Sequence, residues 1–581
     1  MIKSSFSFAF LSFVLLLLLG FSPPTDEQLL QKVLKAVKDF DEKEFPNALK
    51  AKVAPLGSYT EADFARRAAF YKTQIAALDK INVSKISFDS HISLDLMKFV
   101  LDNEVQEFEF KQYLNPILTD DGFHISFAGR ATRNYAGLEE LNGYIRMLKD
   151  FPRYTEQYLA LMRKGLELRI CQPAEILKGY ENTYNQHIVK NVEESLFFNP
   201  FQKKPYGISE EQWQKLVADG KQAISTDVIP TYEKIKQFFE QEYFPKTRKT
   251  YGVLHFPNGK AYYQQRVHYY TTTNLTVEEV HELGLKEVER IQKEMQTVLQ
   301  EVNFKGSLQD FIQFLRTDPQ FYAKTPEDLL KEASFIAKKI DAKLPTLFGK
   351  LPRQPYGVAP VPDHIAPTYT GGRYVPANVK SRNSGTYWVN TYNLPSRPLY
   401  VLESLTLHEA VPGHHLQMAL TQELDNLPEF RRNLYINAFG EGWGLYAEYL
   451  GNEMGFYSNP YNRFGRLTYE MWRACRLVID TGIHGKDWSR EQAVEYLASH
   501  TALSLHEVNT EINRYIAWPG QALSYKIGEL KIKELRKKAE AELGDKFDVR
   551  KFHDMLLSKG TVTLDIMEKM VGEFIVNQRS R

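Results

Sequence analysis

The chain has 581 residues, which is long enough for a large hydrophobic core and suggests two or more domains. Its 73 basic and 72 acidic residues nearly balance, so charge gives no reason to expect a nucleic-acid partner or binding to an anionic membrane. The two cysteines, Cys171 and Cys475, exclude a disulfide framework, although a single bridge is compatible with them.

The N-terminus has the features of a signal peptide. Lys3 precedes an apolar run from Phe6 to Phe21, which is shorter than the about 20 apolar residues that usually span a membrane. No cysteine follows the run, so a lipoprotein anchor is not expected. We expect residues 1–22 to be a signal peptide, either cleaved or retained as an anchor. The protein is then exported, periplasmic or secreted, with no membrane partner beyond such an anchor.

Residues 23–260 are predicted to form an N-terminal helical lobe. Spaced apolar residues alternate with charges, as in amphipathic helices, over the segments 27–40, 63–78, 93–110, 138–162 and 211–242. Pro230 is expected to break or kink the last of these. Pro257-Asn258-Gly259 ends this part of the chain.

Residues 261–581 are predicted to form a second helical lobe, which carries the catalytic site. Residues 262–273 are rich in Tyr, Val and Thr and are expected to be extended. Thr276 and the acidic residues after it are typical of an N-cap and first turn, here of a helix that continues to Val302. Further helices are expected over 308–315, over 326–342 and after Asn433.

The Pro-, Gly- and Tyr-rich stretch 351–398 contains the sequence GTYWVNTYN, whose β-rich alternation predicts a strand over 385–393. A strand with a free edge can pair with an extended peptide. This makes Tyr387, Val389 and Asn390 candidate substrate-binding residues. A simple connecting strand fits the same pattern equally well.

The stretch LTLHEAVPGHHLQ holds three of the fourteen histidines of the chain. His408-Glu409 followed closely by another histidine is how a metallopeptidase helix presents two ligands and a general base. In the usual spacing the second histidine lies four residues after the first, but that position is Pro412 here. The next histidines are His414 and His415, and a histidine-rich surface turn is the structural alternative.

A regular helix brings neither histidine back to His408, since the sixth residue on points roughly 120° away and the seventh lies about 10 Å along the axis. Pro412 and Gly413 permit a broken turn that does so. We favour His414 as the second ligand, because Gly413-His414 reproduces the Gly-His ending common in this class of motif. His415 remains the alternative, and the histidine that does not bind metal is expected to face the substrate or to support a ligand.

A zinc hydrolase needs a third protein ligand and one open position for water. Glu441, in FGEGWG, lies 33 residues after His408, which is enough for one helix to end and a second to return. Its flanking glycines permit close helix packing. Glu448 is the next candidate, but it is more typical of a surface acid or of an acid that supports a ligand. Glu409 is then the general base that holds the water and takes its proton.

The attack of water on an amide creates an oxyanion, which a donor opposite the metal would stabilise. The segment NRYIAWPGQALSYKIG offers Arg514, Tyr515 and Tyr525, and the segment IDTGIHGKDW offers His484. We predict catalytic roles for Tyr525 and His484 and substrate contacts for Arg514 and Tyr515. Each of these side chains is also compatible with a structural role.

Over nearly the whole mature chain, the sequence resembles the bacterial family catalogued as domain of unknown function 885. The motifs that carry this resemblance are, in order, GTYWVNTYN, HEAVPGHHLQ, GEGWGLYAE, DTGIH and RYIAWPGQALSYKIG. That family is similar to the helical gluzincin peptidases, which include angiotensin-converting enzyme and thimet oligopeptidase. The resemblance implies a mainly α-helical fold with a deep central channel, a small β element before the metal helix, and one Zn²⁺ per chain.

Carried over residue by residue, the resemblance matches His408 and Glu409 to the His-Glu of the motif and Glu441 to the downstream glutamate. Tyr525 resembles the oxyanion tyrosine of the thimet-type Tyr-x-Tyr segment, and GTYWVNTYN resembles the substrate-binding edge strand. The longer spacing inside HEAVPGHH departs from the common motif, as it does in dipeptidyl peptidase III, which is similar in this respect.

The sequence therefore predicts an exported zinc metallopeptidase that hydrolyses short peptides with a metal-activated water. A metal-dependent amidohydrolase acting on a non-peptide amide would use the same site with a different pocket. A non-catalytic peptide-binding protein of the same fold would be expected to lack Glu409 or a ligand, and all of these residues are present.

Overall fold

The computed structural model describes residues 24–363, 365–377 and 383–580. The predicted signal peptide lies outside these residues. Within the described part of the chain, no helix is both long and apolar enough to cross a membrane. The fold is mainly α-helical with one small sheet, so the predicted fold class is confirmed.

Ten α-helices form the described part of the chain before residue 275, residues 24–274. They are α1 Asp26–Glu44, α2 Glu61–Leu78, α3 Phe88–Glu109, α4 Phe123–Ala128, α5 Leu138–Leu168, α6 Asn182–Asn185, α7 Glu210–Ala223, α8 Ile229–Gln237, α9 Phe244–Lys246 and α10 Gly259–Thr271. Several begin where a side-chain oxygen caps the first turn, for example Thr25 before α1 and Ser209 before α7.

The described residues after 275 contain the remaining helices. They are α11 Val277–Glu301, α12 Leu308–Thr317, α13 Pro326–Asp341, α14 Leu402–Glu409, α15 His414–Gln422, α16 Glu429–Asn433, α17 Asn437–Leu450, α18 Pro460–Lys486, α19 Arg490–His500, α20 Leu505–Ala517, α21 Ser524–Leu543, α22 Val549–Leu556 and α23 Leu564–Arg579. The predicted cap at Thr276 is confirmed, because its side chain and that of Glu279 form a reciprocal capping box.

The structure tests two details of the predicted helices. The expectation that residues 262–273 are extended is wrong, because they lie in α10, where Tyr262, Tyr263, Val267 and Tyr270 are all buried. Burial around the helix outweighs the β-propensity of its tyrosines. The predicted break at Pro230 is confirmed, since a π-helical turn over Ile224–Val228 separates α7 from α8 and Pro230 occupies the first turn of α8.

The sheet has three strands, β1 Tyr356–Pro360, β2 Gly372–Val375 and β3 Gly385–Val389. Their order is β1-β3-β2, with β3 parallel to β1 and antiparallel to β2. The predicted strand is therefore present, but it is the central strand and has no free edge. The edge strands on its two sides are β1 and β2, neither of which the sequence analysis identified.

This topology corrects three predicted substrate contacts. Tyr387 and Val389 are buried. Asn390 is also buried, and its Nδ2 donates hydrogen bonds to the carbonyl oxygens of the loop just before β2, those of Ala366, Tyr369 and Thr370. These residues shape the sheet and its preceding loop, and the expectation that they contact the substrate is wrong.

Two long helix pairs support the site. Helix α11 packs along α18, and α17 packs along α21. At the second contact a Cβ atom on Gly442 would lie 2.5 Å from Cα of Gly528, so glycine on both helices permits this close approach. The main hydrophobic core includes residues from both predicted lobes, from Leu56 to Ile575. The division of the chain at residue 260 stays a prediction.

Candidate metal centre

A sharp break separates α14 from α15 and brings two histidines together. Ala410, which follows the last residue of α14, has φ −91° and ψ −110°, outside the helical region. The Val411–Pro412 peptide bond is cis. A Cβ atom on Gly413 would overlap the carbonyl oxygen of His408, so only glycine fits there. The predicted interruption of the helix at Pro412 and Gly413 is confirmed, and α15 begins directly at His414.

Three side chains converge beside this break. His408, His414 and Glu441 each offer one donor atom, and these atoms all lie within 4.8 Å of one another. The Oε2 atom of Glu441 is 3.6 Å from Nε2 of His408 and 3.4 Å from Nε2 of His414. The structure therefore groups His414, rather than His415, with the other two predicted ligands.

The two distances from Glu441 to the histidines fit a small divalent cation. Bonds of about 2.0–2.2 Å at tetrahedral angles place two ligand atoms roughly 3.3–3.6 Å apart, which is the range that zinc requires of nitrogen and oxygen ligands. Both imidazoles are buried, and the Nδ1 of His414 is a buried polar atom with no hydrogen-bond partner among the described residues. Two histidines and one carboxylate also form a donor set that zinc accepts in catalytic sites, where a fourth position stays open.

Glu441 reaches the histidines because glycine residues on its own helix leave room for close contact. On α17, a Cβ atom on Gly444 would lie 2.6 Å from Cε1 of His408, and one on Gly440 would overlap the ring of Tyr435. The hydroxyl of Tyr435 in turn donates a hydrogen bond of 3.0 Å to Oε1 of Glu441. The glycines on both sides of Glu441 therefore permit the close packing that the sequence predicted.

Glu448 orients the first histidine. Its Oε1 lies 2.8 Å from Nδ1 of His408 and 3.1 Å from Nη2 of Arg473. A carboxylate on one ring nitrogen leaves the other nitrogen, Nε2, directed at Glu441. Burial alone lowers the pKa of His408, but hydrogen bonds to Glu441 and Glu448 outweigh it and raise that pKa to about 9.

Glu441 is charged in this environment. Burial opposes its ionisation, but the neighbouring His414 and His408 outweigh burial and hold the pKa of Glu441 well below its ordinary value. An ionised carboxylate is the form that binds a metal ion.

His415 lies on the other side of α15 and is not part of the group. Its Nδ1 is 2.9 Å from the hydroxyl of Tyr374, and its ring centroid is 4.7 Å from that of Tyr356. Burial lowers the pKa of His415 to about 4, so the ring is neutral at physiological pH. His415 thus supports the strands β1 and β2, in agreement with the expected supporting role of the histidine that does not bind metal.

Glu409 borders the same space as the three candidate ligands. Its Oε2 accepts a hydrogen bond of 2.8 Å from the backbone N–H of Tyr374, which lies on the edge strand β2. This bond fixes one oxygen of the carboxylate. The position is suited to a general base, since Glu409 follows His408 directly and faces the open space in front of it.

The open space is a cleft of about 840 Å³. Among the residues that line it are His408, Glu409, His414, Glu441 and Tyr525. The lining also includes Thr119 and Asp120, from the N-terminal part of the chain. The volume lies within the range of about 300–1,000 Å³ that is typical of small-ligand sites.

Two of the predicted donors do line the cleft. The ring of Tyr525 stacks on His408 with a centroid distance of 6.3 Å, and the guanidinium of Arg476 lies 4.2 Å above the Tyr525 ring. Arg514 forms two hydrogen bonds with the carboxylate of Glu511 and one with Oε1 of Gln521.

The other two predicted donors lie away from the cleft. The Tyr515 hydroxyl is buried, where it accepts hydrogen bonds from Nε1 of Trp472 at 2.7 Å and from Nε of Arg476 at 2.9 Å. His484 accepts a hydrogen bond from the N–H of Val253 and donates one to the carbonyl of Tyr515. Burial lowers the pKa of His484 to about 3. The predictions that Tyr515 contacts substrate and that His484 is catalytic are wrong, because backbone or core groups already satisfy both side chains.

Sequence reasoning missed the contribution of β2. Tyr374 holds both Glu409, through its N–H, and His415, through its hydroxyl. Arg373, the preceding residue, lines the cleft. The sequence GGRYV around them has the tyrosine and valine of a strand. It is short, however, and it begins with two glycines, which usually indicate a turn.

Comparisons with known proteins identify relatives of similar architecture. A crystal structure from Colwellia psychrerythraea, described as a "putative lipoprotein", has a TM-score of 0.86 and 27% identity over 95% of this chain and 100% of that one. A structure from Shewanella oneidensis, described as a "putative lipoprotein of unknown function", has a TM-score of 0.69 over 94% of this chain and 100% of that one. At 17% identity, this second likeness concerns the fold alone.

A comparison with curated proteins gives no match. The family model described as "Bacterial protein of unknown function (DUF885)" matches residues 49–571, which is most of the chain. The protein therefore belongs to the bacterial family DUF885.

Proposed function

We propose that this protein is an exported zinc-dependent metallopeptidase that hydrolyses short peptides in the cleft. The observation that carries the proposal is the buried group of His408, His414 and Glu441, with Glu409 beside it at the wall of an 840 Å³ cleft. Structural metal sites are closed by four protein ligands, whereas catalytic zinc sites use three and face an open space. Three candidate ligands beside an open cleft support the second arrangement.

His408, His414 and Glu441 would hold the ion. Zinc, when bound, supplies a Lewis acid that lowers the pKa of water and polarises a carbonyl group. Glu409 would take the proton of the attacking water, and it would later deliver that proton to the leaving nitrogen of the substrate. The N–H of Tyr374 keeps the carboxylate of Glu409 in place for both transfers, since it binds the Oε2 atom.

Tyr525 would stabilise the oxyanion that forms on the substrate carbonyl. Burial and the nearby Glu441 raise the pKa of Tyr525 above its ordinary value, although Arg476 and Arg514 oppose them. The hydroxyl therefore keeps its proton at neutral pH and can donate a hydrogen bond. A neutral donor of this kind contributes mainly in the transition state, where the charge on oxygen develops.

The edge strand β2 offers a binding surface for an extended peptide. The N–H of Tyr374 points away from β3 and towards Glu409. Alternation along a strand places the N–H of Gly372 on the same side. A peptide added to this edge would have its backbone next to the general base, which is the strand-addition mode of recognition.

Export is supported by the N-terminal sequence, in which Lys3 precedes the apolar run from Phe6 to Phe21. The two similar structures are both described as "putative" lipoproteins, which agrees with an exported or membrane-associated protein.

A peptide-library digest tests the proposal. The zinc-loaded protein is expected to cleave short peptides, to lose this activity with a chelator and to regain it when zinc is restored. Peptides that stay intact in the presence of zinc, while non-peptide amides are hydrolysed, would move the proposal to an amidohydrolase. If the zinc-loaded protein hydrolyses neither the peptides nor the non-peptide amides, the proposal is overturned.

A further inference from the structure

The lysine and arginine side chains that line the cleft differ in whether a carboxylate of the protein forms an ion pair with them. All but one have an acidic partner within 4.0 Å: the pairs are Lys178–Glu175, Arg432–Asp425, Arg473–Glu448, Arg476–Glu511 and Arg514–Glu511. Among the described residues, Arg373 forms no such ion pair. Its one hydrogen bond is a long one of 3.5 Å, from Nη1 to the hydroxyl of Tyr369.

The position of Arg373 ties it to the proposed catalytic group. It precedes Tyr374, whose N–H binds Glu409, and both residues lie on the edge strand β2. The side chain of Tyr374 turns towards His415. Because side chains alternate along a strand, that of Arg373 lies on the opposite face of the sheet, where it is exposed and lines the cleft.

Burial lowers the pKa of Arg373, but Tyr369 and the more distant carboxylates of Glu409 and Glu441 outweigh it and raise that pKa. Because no carboxylate of the described residues pairs with it directly, this exposed guanidinium beside the reacting groups is suited to bind an anion of the substrate. Guanidinium is always charged, and its planar N–H groups match a carboxylate in a bidentate arrangement. The paired arginines of the cleft are less available for this role, since Glu511 already occupies both Arg476 and Arg514.

We infer that Arg373 binds a carboxylate of the substrate, so that the protein selects peptides carrying a free carboxylate near the scissile bond. This inference rests on the proposed function, because it takes the ligand of the cleft to be a peptide. Two sources share the required chemistry, the C-terminal carboxylate of a peptide and the side chain of a substrate Asp or Glu. The geometry assigns the anion to Arg373 in either case.

Equilibrium binding separates these possibilities without turnover. The full zinc-loaded chain with Glu409→Gln is titrated calorimetrically with three N-acetylated tetrapeptides: Ala-Phe-Ala-Ala with a free C-terminus, the same peptide as its C-terminal amide, and an amide in which Glu replaces the last Ala. The free acid, the Glu peptide or both are expected to bind about tenfold to a hundredfold more tightly than the neutral amide. Which of the two binds tightly identifies the source of the carboxylate.

Arg373→Gln in the same background is expected to bring that affinity ratio close to one, and Arg373→Lys to keep part of it. The matched control is Arg432→Gln, which removes a cleft arginine that pairs with Asp425 and is expected to keep the full ratio. Unfolding temperatures check that each variant is folded.

Equal binding of the three peptides, binding of none, or an unchanged ratio in Arg373→Gln would overturn the inference. Hydrolysis by the unmodified chain reports separately on the proposed function. Cleavage without any preference for carboxylates overturns the role of Arg373 alone. If Arg373→Gln abolishes a carboxylate preference in binding but the unmodified chain cleaves no peptide, only the proposed peptidase activity is overturned.

Discussion

The Nδ1 atom of His408 lies 2.8 Å from Oε1 of Glu448, and this contact directs the opposite ring nitrogen towards Glu441. Glu448 is itself buried and is held by Arg473 at 3.1 Å. Arg473, Glu448 and His408 therefore contact one another in sequence, from the core to the candidate metal position. The sequence left Glu448 as either a surface acid or a supporting acid, and the structure buries it against His408.

Removing this support is expected to weaken zinc binding without removing a ligand. Glu448→Gln should reduce the affinity for zinc by about tenfold to a hundredfold, because the amide neither fixes the imidazole as firmly nor raises its basicity. Competition with a chromophoric chelator measures the effect. Zinc affinity that matches the unmodified protein would show that the contact with His408 is not needed for the site.

The close packing of Gly444 against His408 gives a second prediction. In Gly444→Ala the new Cβ atom would lie 2.6 Å from Cε1 of His408, so the ring or the helix must shift. We expect a loss of stability of about 1–3 kcal/mol, together with weaker zinc binding.

The matched control for that variant is Gly572→Ala on α23, where a Cβ atom would meet nothing within 4 Å. There the same change should be neutral or stabilising by roughly 0.5–1 kcal/mol, because alanine favours a helix more than glycine does. Chemical denaturation of both variants measures the difference. Equal effects at the two positions would contradict the packing argument.

Glu409 is predicted to act in proton transfer and not in metal binding. Glu409→Gln keeps the size of the side chain and can still accept the hydrogen bond from Tyr374, but an amide does not accept the proton of water. We expect zinc content and unfolding temperature to stay unchanged while kcat falls by about 10²–10⁴. Steady-state kinetics on any peptide that the protein cleaves measures the effect. If the variant turns over as fast as the unmodified protein, Glu409 does not have this role.

Tyr525→Phe is expected to lower kcat with little change in KM, since its hydrogen bond forms mainly in the transition state. The expected cost is about 2.7–4 kcal/mol in transition-state stabilisation, which is the scale for one oxyanion donor. If kcat is unchanged, Tyr525 is only a packing residue on His408. The role would then pass to another donor of the cleft, such as Arg514, because Tyr515 and His484 lie outside it.

The sequence was informative about the candidate site where the residue type itself carries the chemistry. His408, Glu409 and Glu441 could be proposed as ligands and base because imidazole and carboxylate groups are typical zinc donors. The choice between His414 and His415 depended on the backbone at Ala410 and Gly413, which no local pattern specifies. The sequence therefore favoured His414 but could not exclude His415.

Non-local pairing explains the errors about the sheet. The alternation in GTYWV predicted β3 correctly, but its central position depends on β1 and β2, which are short and pair across loops. Similarly, Tyr515 and His484 lie within the motifs RYIAWPGQALSYKIG and DTGIH. The direction of their side chains follows from the packing of α18 and α20, which places both in the interior.

Zinc content is the measurement that tests the central claim most directly. Elemental analysis of protein purified without chelators, and again after zinc addition and dialysis, should find about one zinc per chain. The ion should be lost in His414→Ala, because His414 belongs to the group with His408 and Glu441, and kept in His415→Ala, because His415 instead contacts Tyr374. No zinc in the unmodified protein after zinc addition, or loss in His415→Ala with retention in His414→Ala, would contradict the proposed metal centre.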